Sequence, residues 1–171
     1  MNIHDQLRRP FELTKIHWRV GSVTKDKSKG MALAYIDARD VMSRMDSVVG
    51  TENWQCRYPL SDNGLLICEV GVRASVFGLD RNEWVWKANG AGDTQVEAEK
   101  GKCSDAMKRA AVLWGVGQYL YALPNKWFPL DEWKRFTKEA VIQMGETMPF
   151  WATPEGYDKL MLKKVEQVNE Q

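Results

Sequence analysis

The sequence predicts an α+β fold in which one long helix packs on an antiparallel sheet. Two alternating stretches within residues 15–36 predict a β-hairpin near the N-terminus. Three further stretches within residues 54–88 predict an antiparallel meander, and residues 93–121 repeat apolar side chains every three or four positions, as a helix does. Because the meander strands follow one another without an intervening helix, an α+β fold is favoured over a parallel α/β fold.

The predicted hairpin has strands at residues 15–20 and 31–36, joined by a polar, lysine-rich loop at residues 21–30. Alternation along the first strand places Trp18 on an apolar face and Arg19 on the opposite, polar face. We therefore expect the hairpin to pack one face on a core and to expose cations on the other.

Helices are predicted on both sides of the hairpin. A short helix over residues 3–9 is stopped by Pro10, which cannot continue a helix. A second helix is expected to begin after Asp37 as its capping residue and to end at Gly50. Its apolar side consists of Val41, Met42, Met45, Val48 and Val49.

The meander is predicted to have strands at residues 54–58, 66–76 and 83–88, with a turn at residues 61–64. Even-numbered residues from 66 to 76 form a continuous apolar face. Three cations lie opposite the apolar residues of their own strands: Arg57, Arg73 and Lys87.

Those three cations have two interpretations. They form a basic lane across the sheet, or some are solvated while others pair with Glu69 or Glu83, and the second interpretation is favoured.

The central helix, residues 93–121, carries an apolar stripe along one side. The stripe consists of Val96, Cys103, Ala106, Ala110, Leu113, Gly117 and Leu120. At 100° per residue, Lys108 projects away from this stripe, and Lys102 and Arg109 share one flank. Val112 also points away from the stripe, which suggests a second contact with a neighbouring subunit.

The C-terminal part is predicted to be helical. Residues 122–129 form an aromatic connector bounded by prolines, residues 131–144 read as a helix, and a further helix begins at residues 153–154. We expect a core at residues 1–128 and a helical tail at residues 129–171.

Composition narrows the class of protein. The chain has 171 residues, of which 27% are charged and 44% hydrophobic, typical of a folded domain. No apolar run approaches the ~20 residues of a membrane span, and the N-terminus lacks the layout of a signal peptide. Three dispersed cysteines, Cys56, Cys68 and Cys103, indicate reduced, buried thiols in a cytoplasmic protein. Neither a zinc site nor a cofactor is expected.

Charge is unevenly distributed although the net charge is only +1. Residues 15–30 carry five cations against one acid, whereas residues 131–171 carry six cations against eight acids. A basic segment near the N-terminus and an acidic C-terminal segment suit a protein that presents one face to phosphate, although solvated loops give the same pattern.

Catalytic patterns are weak. No nucleophile has a partner base in the sequence, and no phosphate-binding lysine motif of an ATPase occurs. Glu97 and Glu99 would stand about 200° apart on a helix, too far round to share a metal. The remaining chemistry is that of a binding protein whose cations neutralise a phosphate backbone, with aromatic residues such as Tyr35 or Trp18 packing on sugars or bases.

Several motifs resemble the Rad52-type single-strand annealing proteins, a family with eukaryotic and bacteriophage members. Residues 105–110, Asp-Ala-Met-Lys-Arg-Ala, followed by Gly115-x-Gly117, are similar to the family's long helix. Residues 34–37, Ala-Tyr-Ile-Asp, together with Trp18-Arg19, are similar to its first hairpin. The resemblance extends from about residue 14 to residue 121.

The resemblance implies a set of DNA-binding residues. Matching family positions are held by Arg19, Lys108 and Arg109, with Lys100 and Tyr35 nearby. Where the eukaryotic pattern has a further arginine, this chain has Val112, and the lysine loop could compensate. The candidate DNA-binding residues are Arg19, Lys25, Lys27, Lys29, Tyr35, Lys100, Lys102, Lys108 and Arg109.

The family resemblance further implies ATP-independent binding and annealing of single-stranded DNA in recombination and double-strand break repair. The protein would act as a homo-oligomeric ring or helical filament, in the bacterial host cell if it is phage-encoded. Candidate protein partners are a single-strand-binding protein and a phage exonuclease; no membrane partner is expected. Two alternatives remain open: a small metal-dependent nuclease using Glu69, Glu97 or Glu99, and a protein-interaction module without DNA binding.

Overall fold

A computed structural model describes residues 1–59, 65–80, 82–90 and 99–169, without the side chains of residues 99, 100, 168 and 169. The chain forms two compact units. The helix–sheet unit comprises Met1–Arg8 and Asp37–Gln118, and the hairpin unit comprises Arg9–Ile36 and Tyr119–Gln171.

The described helices and strands confirm the predicted α+β class. In chain order they are α1 (Ile3–Arg8), β1 (His17–Val23), β2 (Lys29–Tyr35), α2 (Ala38–Val49), β3 (Trp54–Arg57), β4 (Ile67–Arg73), β5 (Trp84–Gly90), α3 (Glu99–Val112), β6 (Trp127–Pro129), α4 (Lys138–Glu146) and α5 (Pro154–Asn169). The strands form two antiparallel sheets with the orders β1-β2-β6 and β3-β4-β5. The hairpin, the meander, the helix on the sheet and the helical tail are all present.

The hairpin strands are longer than predicted. β1 extends to Val23 and β2 begins at Lys29, so the loop expected over residues 21–30 is only the turn at residues 24–28. The ladder continues because Thr24 N–H donates to the carbonyl of Lys29 at 2.9 Å. The loop prediction was wrong because glycine and lysine composition was taken as a loop signal, whereas the chain pairs there.

A third strand joins the hairpin where a connector was predicted. In β6, Phe128 pairs with Gly30 and Trp127 pairs with Met31. Phe128 is buried and, with Ala140 and Met144, forms the core of this unit. Trp18, Ala32 and Phe136 pack against that core. The first part of the tail thus lies in the same compact unit as the hairpin; the division at residues 128/129 stays a prediction.

The last helix is held to the start of the hairpin unit by a two-pronged ion pair. Arg9 Nη2 donates to Asp158 Oδ2 at 2.8 Å, and Arg9 Nε donates to Asp158 Oδ1 at 2.9 Å. This contact lowers the pKa of Asp158 below its ordinary value, chiefly through the hydrogen bond from Arg9. Both α5 and the residues before β1 are therefore fixed relative to each other.

In the helix–sheet unit, α3 packs on β4 and β5. Cys68, Val70 and Val72 of β4 are fully buried on that side of the sheet. Trp114, just after α3, is 4% exposed, and its Nε1–H donates to the carbonyl of Val70 at 3.0 Å. This hydrogen bond fixes the end of the helix on the middle strand.

α2 confirms its predicted limits. Asp37 is at the N-terminal capping position, although its side chain makes no capping hydrogen bond, and Gly50 ends the helix with a positive φ of 88°. Val41, Met45 and Val49 are buried. Met42, also expected on the apolar side, is 38% exposed.

α3 is shorter than predicted and its buried stripe is rotated. The helix ends at Val112, and the chain then turns through Gly115 and Gly117, whose φ angles of 103° and 71° disfavour other residues. The part of the predicted helix at residues 93–98 lies outside the described residues.

The buried side of α3 consists of Ala106, Met107, Ala110 and Ala111. Ala106 and Ala110 confirm the predicted stripe. Cys103 and Leu113 do not, because both are exposed.

The third meander strand, β5, directs Lys87 to the buried side of the sheet and Trp86 to the outer side, which is the reverse of the prediction. Register places Lys87 beside the buried Val70, and Trp86 beside Gly71 on the outer face. Gly71 leaves room for the indole, since a Cβ there would come within 2.8 Å of Trp86 Cε3. The even-numbered apolar series also ends early, because β4 stops at Arg73 and a 3₁₀ turn follows at Ala74–Phe77.

The basic lane across the sheet is therefore absent, and the paired interpretation holds. Arg57 forms a salt bridge with Glu69 and lies over the ring of Trp86 at 4.0 Å. Lys87 is on the other face, where its Nζ donates to the carbonyl of Leu113 at 2.8 Å. Burial lowers the pKa of Lys87.

Candidate nucleic-acid interface

The candidate DNA-binding residues fall into two sets, one in each compact unit. The hairpin set consists of Arg19, Lys25, Lys27, Lys29 and Tyr35. The helix set consists of Lys102, Lys108 and Arg109 on α3, and Lys100 belongs to the same helix although its side chain is not described. In the hairpin set, Arg19, Lys29 and Tyr35 belong to the strands, whereas Lys25 and Lys27 lie in the turn at the end of the hairpin away from Tyr35.

Arg19 projects from a face of the hairpin that is opposite its core. It pairs across the strands with Leu33, while the neighbouring pair on the same face is His17 with Tyr35. The rings of His17 and Tyr35 lie 5.4 Å apart. Arg19 is exposed and forms no ion pair within the described ranges. A guanidinium and two rings thus share one surface.

The same surface continues across β2 to β6. Lys29 and Met31 alternate with buried Gly30, so their side chains leave β2 on the side of Leu33 and Tyr35. Trp127 of β6 pairs with Met31 and is 44% exposed. We call this surface, formed by Arg19, Lys29, Tyr35 and Trp127, the hairpin cation face.

Trp18 and Trp127 lie on opposite faces of the sheet β1-β2-β6. Trp18, considered as a base-stacking residue, packs against the core around Phe128. Trp127 is on the hairpin cation face, which sequence reasoning missed because β6 was taken as a connector. The sequence gives no alternation that would identify this strand, because Trp127, Phe128 and Pro129 are all apolar and the strand is only three residues long.

The turn between β1 and β2 is organised by the carboxylate of Asp26. Thr24 Oγ1 donates to Asp26 Oδ1 at 2.6 Å, and Ser28 Oγ donates to Asp26 Oδ2 at 2.8 Å. These hydrogen bonds, with the one from Thr24 the largest cause, lower the pKa of Asp26 to about 2. The carboxylate therefore orders the turn that carries Lys25 and Lys27, both exposed to solvent.

A cation from the tail lies beside this turn. Lys134 Nζ donates to the carbonyl of Lys27 at 3.2 Å. Leu130 N–H also donates to the carbonyl of Ser28 at 2.9 Å, which holds the tail against the turn. The sequence did not point to Lys134, because residues 131–171 carry more acids than bases and were interpreted as an acidic segment.

The helix set lies on the side of α3 that faces away from its sheet. Lys102 and Arg109 are about 20° apart around the helix, and Lys108 is about 100° from Arg109. Asp105 lies between them, and its Oδ2 accepts a hydrogen bond from Arg109 Nε at 2.8 Å. An acid therefore partly neutralises this set, as the carboxylate of Asp26 does beside Lys25 and Lys27 in the turn.

Both arrangements suit a phosphodiester backbone. Guanidinium and ammonium groups bind phosphate oxygens without reading sequence, and exposed rings stack on bases of any kind. In the described part of the chain, no helix is long and apolar enough to cross a bilayer.

The comparison with known proteins identifies the class. Residues 1–131 match the Rad52/22 family double-strand break repair protein, and the chain belongs to this family. The resemblance found in the sequence is therefore confirmed.

Two bacterial relatives are similar over most of their length. The single-stranded DNA-binding protein DdrA of Deinococcus deserti is 33% identical over 154 residues, which cover 90% of this chain and 71% of that protein. The protein of the same name from Deinococcus radiodurans is 30% identical over 154 residues, which cover 90% of this chain and 69% of that protein. Each alignment covers 154 residues of this chain, more than the 131 residues of the family match, so the similarity includes part of the tail.

Proposed function

We propose that this protein binds single-stranded DNA and anneals complementary strands without ATP, as a homo-oligomer acting in double-strand break repair. Membership of the Rad52/22 family and the names of the two relatives support the DNA-binding part. The observation that carries the proposal is the hairpin cation face, on which cations and aromatic rings lie side by side.

The core behind this face supports its role. Trp18 and Ala32 pack on one side of the hairpin, so the opposite side is held in a fixed orientation. The strand pairing holds the backbone positions of Arg19 and Lys29 on one face of the hairpin unit, so both cations are presented to the same side.

In the proposed mechanism the cations hold the phosphates and the bases remain available to a second strand. The protein supplies charge neutralisation and positioning, while base pairing supplies sequence specificity. Binding should then depend strongly on salt and little on sequence. The helix set contributes further phosphate contacts through Lys102, Lys108 and Arg109.

The oligomer is also a proposal. Leu113 is 45% exposed at the end of α3, and the adjacent Val112 is half-buried on the side facing away from the sheet. Apolar residues on the outward side of a helix suit a contact with a second copy of the chain. A ring or a filament would place many cation faces along one strand.

Of the nuclease acids considered above, the structure describes the side chain of Glu69 alone. Its carboxylate forms the salt bridge with Arg57, which favours a structural role. We therefore propose a binding protein and not an enzyme. A magnesium-dependent shortening of the oligonucleotides during the assay below would contradict this.

The test is annealing of two complementary oligonucleotides without ATP, comparing wild type with Arg19→Ala/Lys29→Ala. Lys163→Ala/Lys164→Ala is the matched control, because it removes two exposed cations from the acidic tail. We expect the hairpin variant to lose most annealing while the control retains it. The slope of log K against log salt should fall by about 1.4 if both residues contact phosphate, at about 0.7 per contact.

Oligomer size, measured by light scattering, must be unchanged in both variants for the comparison to hold. Equal losses in the two variants would show that only net charge matters and would reject the hairpin cation face. Absence of annealing by wild type at low salt would reject the annealing activity and favour an interaction module.

A further inference from the structure

Two turns from distant parts of the chain lie together at one end of the hairpin unit. The first turn, residues 24–28, joins β1 to β2, and the second, residues 130–136, follows β6 and is closed by a bridge between its first and last residues. Lys134 Nζ donates to the carbonyl of Lys27 at 3.2 Å, and a backbone hydrogen bond of 2.9 Å also joins the two turns. We call this pair of turns the hairpin tip.

The hairpin tip exposes an aromatic ring together with cations. Trp133 is 69% exposed, and Lys25, Lys27 and Lys134 are exposed as well. Because Lys134 follows Trp133 in the chain and contacts Lys27, the indole shares one small region of the surface with cations from both turns. An exposed ring beside cations is the combination that binds a nucleic-acid base and its phosphate.

The backbone of the hairpin tip indicates that its lysine side chains have a use. Lys27 has a φ of 57° and Lys134 a φ of 60°, and in the described part of the chain they are the only residues other than glycine with a positive φ. A residue with a Cβ adopts this left-handed conformation at a cost that glycine avoids. Residues held in such conformations are concentrated at functional sites.

The carboxylates of the hairpin tip limit the part of the binding that charge supplies. Residues 24–28 and 130–136 carry four cations and three acids. Asp26 accepts hydrogen bonds from side chains of its own turn, and Asp131 accepts one from the backbone N–H of Arg135 at 2.8 Å. These two acids order the turns, but their charge offsets that of the lysines. Stacking on the ring therefore has to contribute a large share of any binding here.

We propose that the hairpin tip binds a nucleotide of single-stranded DNA, whose base stacks on Trp133 and whose phosphates are held by Lys27 and Lys134. This inference rests on the proposed function, because it gives the same DNA strand a further contact. The tip lies beyond the Lys29 end of β2, and Tyr35 lies at the other end, about 20 Å along the strand. A DNA strand that follows the hairpin therefore meets an aromatic ring at each end of β2.

The test measures binding of a fluorescent thymidine oligonucleotide by anisotropy, comparing wild type with Trp133→Ala and Trp133→Phe. We expect Trp133→Ala to raise the Kd about 5-fold, the low end of the loss when a stacking ring is removed. Trp133→Phe should retain most of the affinity, because it keeps a ring. Tyr121→Ala is the matched control and should leave the Kd unchanged, since Tyr121 is 75% exposed in the same compact unit but lies outside the two turns.

An oligonucleotide that carries abasic sites shows whether the ring acts through a base. Trp133→Ala and wild type should bind this ligand equally, because it offers no base for the indole to stack on. A loss of the same size on the abasic and the ordinary oligonucleotide would show that Trp133 has a structural role, and would overturn the proposal.

A second variant, Lys27→Gly/Lys134→Gly, tests the cations. Glycine adopts the left-handed φ at lower cost but adds freedom to the unfolded chain, so the Tm should change little. The slope of log K against log salt should fall by about 1.4, at about 0.7 per phosphate contact. The effect of Trp133→Ala should instead be the same at each salt concentration, because stacking releases no counterions. An unchanged slope in the glycine variant would reject the phosphate contacts of the tip.

The outcomes separate this inference from the proposed function. Suppose that wild type binds the oligonucleotide and that Arg19→Ala/Lys29→Ala weakens the binding. Equal Kd values for Trp133→Ala and wild type would then overturn the hairpin tip alone and leave the hairpin cation face intact. Absence of binding by wild type at low salt would reject the proposed function, and the hairpin tip with it.

Discussion

Replacing Trp114 by phenylalanine should show how much the hydrogen bond from its indole to β4 contributes to the free energy of unfolding. The indole is 4% exposed, and its N–H donates to the Val70 carbonyl at 3.0 Å. Phenylalanine keeps an aromatic ring but loses this hydrogen bond, worth about 1 kcal/mol net. The smaller ring leaves a gap, which adds about 1 to 2 kcal/mol.

The total loss of about 2 to 3 kcal/mol corresponds to a fall in Tm of about 5 to 10 °C for a chain of this size. The assay is thermal unfolding followed by circular dichroism, with Trp133→Phe as the control because Trp133 is 69% exposed. We expect the control to change Tm by less than about 1 °C. Equal Tm values for the two variants would refute the idea that this indole ties the helix to the sheet.

Three further predictions concern charge. Asp105→Asn releases Arg109 from its ion pair and should tighten binding of an oligonucleotide about 2- to 5-fold at low salt. Fluorescence anisotropy measures this binding. Weaker binding by the variant would show instead that Asp105 positions the arginine for DNA. Lys134→Ala should lower the salt slope of the same binding by about 0.7 if this cation joins the lysines of the turn, and an unchanged slope would exclude it. The depressed pKa of Asp26 means that its contribution to the turn is present above the ordinary pKa of 3.8 and is lost as pH falls through about 2. The amide proton of Ser28, followed by NMR, should therefore titrate near pH 2, and a midpoint near 3.8 would contradict the hydrogen bonds of the turn.

The sequence predicts the class of fold and the order of its main elements because alternation and helical spacing are local properties. It does not predict which face of β5 is buried. Alternation places Trp84 and Trp86 opposite Lys87, and hydrophobicity then favours burial of the tryptophans. The structure reverses this, because Gly71 on the neighbouring strand and the guanidinium of Arg57 provide an outer surface on which an indole can lie.

The limits of α3 show a second kind of error. Apolar spacing continues from Ala110 through Leu120, so a periodicity argument extends the helix across Gly115 and Gly117. Both glycines have positive φ, which a helix does not allow. A Cβ at Gly115 would lie 2.5 Å from Arg8 Cγ, so the turn is also fixed by close packing with α1.

The candidate site was predictable only in part, for a physical reason. Arg19 and Tyr35 belong to strands joined by a short turn, so their common face follows from local register. Trp127 and Lys134 reach the same unit through pairing between segments about a hundred residues apart in sequence, as in the bond from Lys134 to Lys27. No local pattern encodes such pairing. The tail, whose overall composition is acidic, therefore adds a cation to the basic turn, and net charge by segment is a poor guide to where cations gather on the surface.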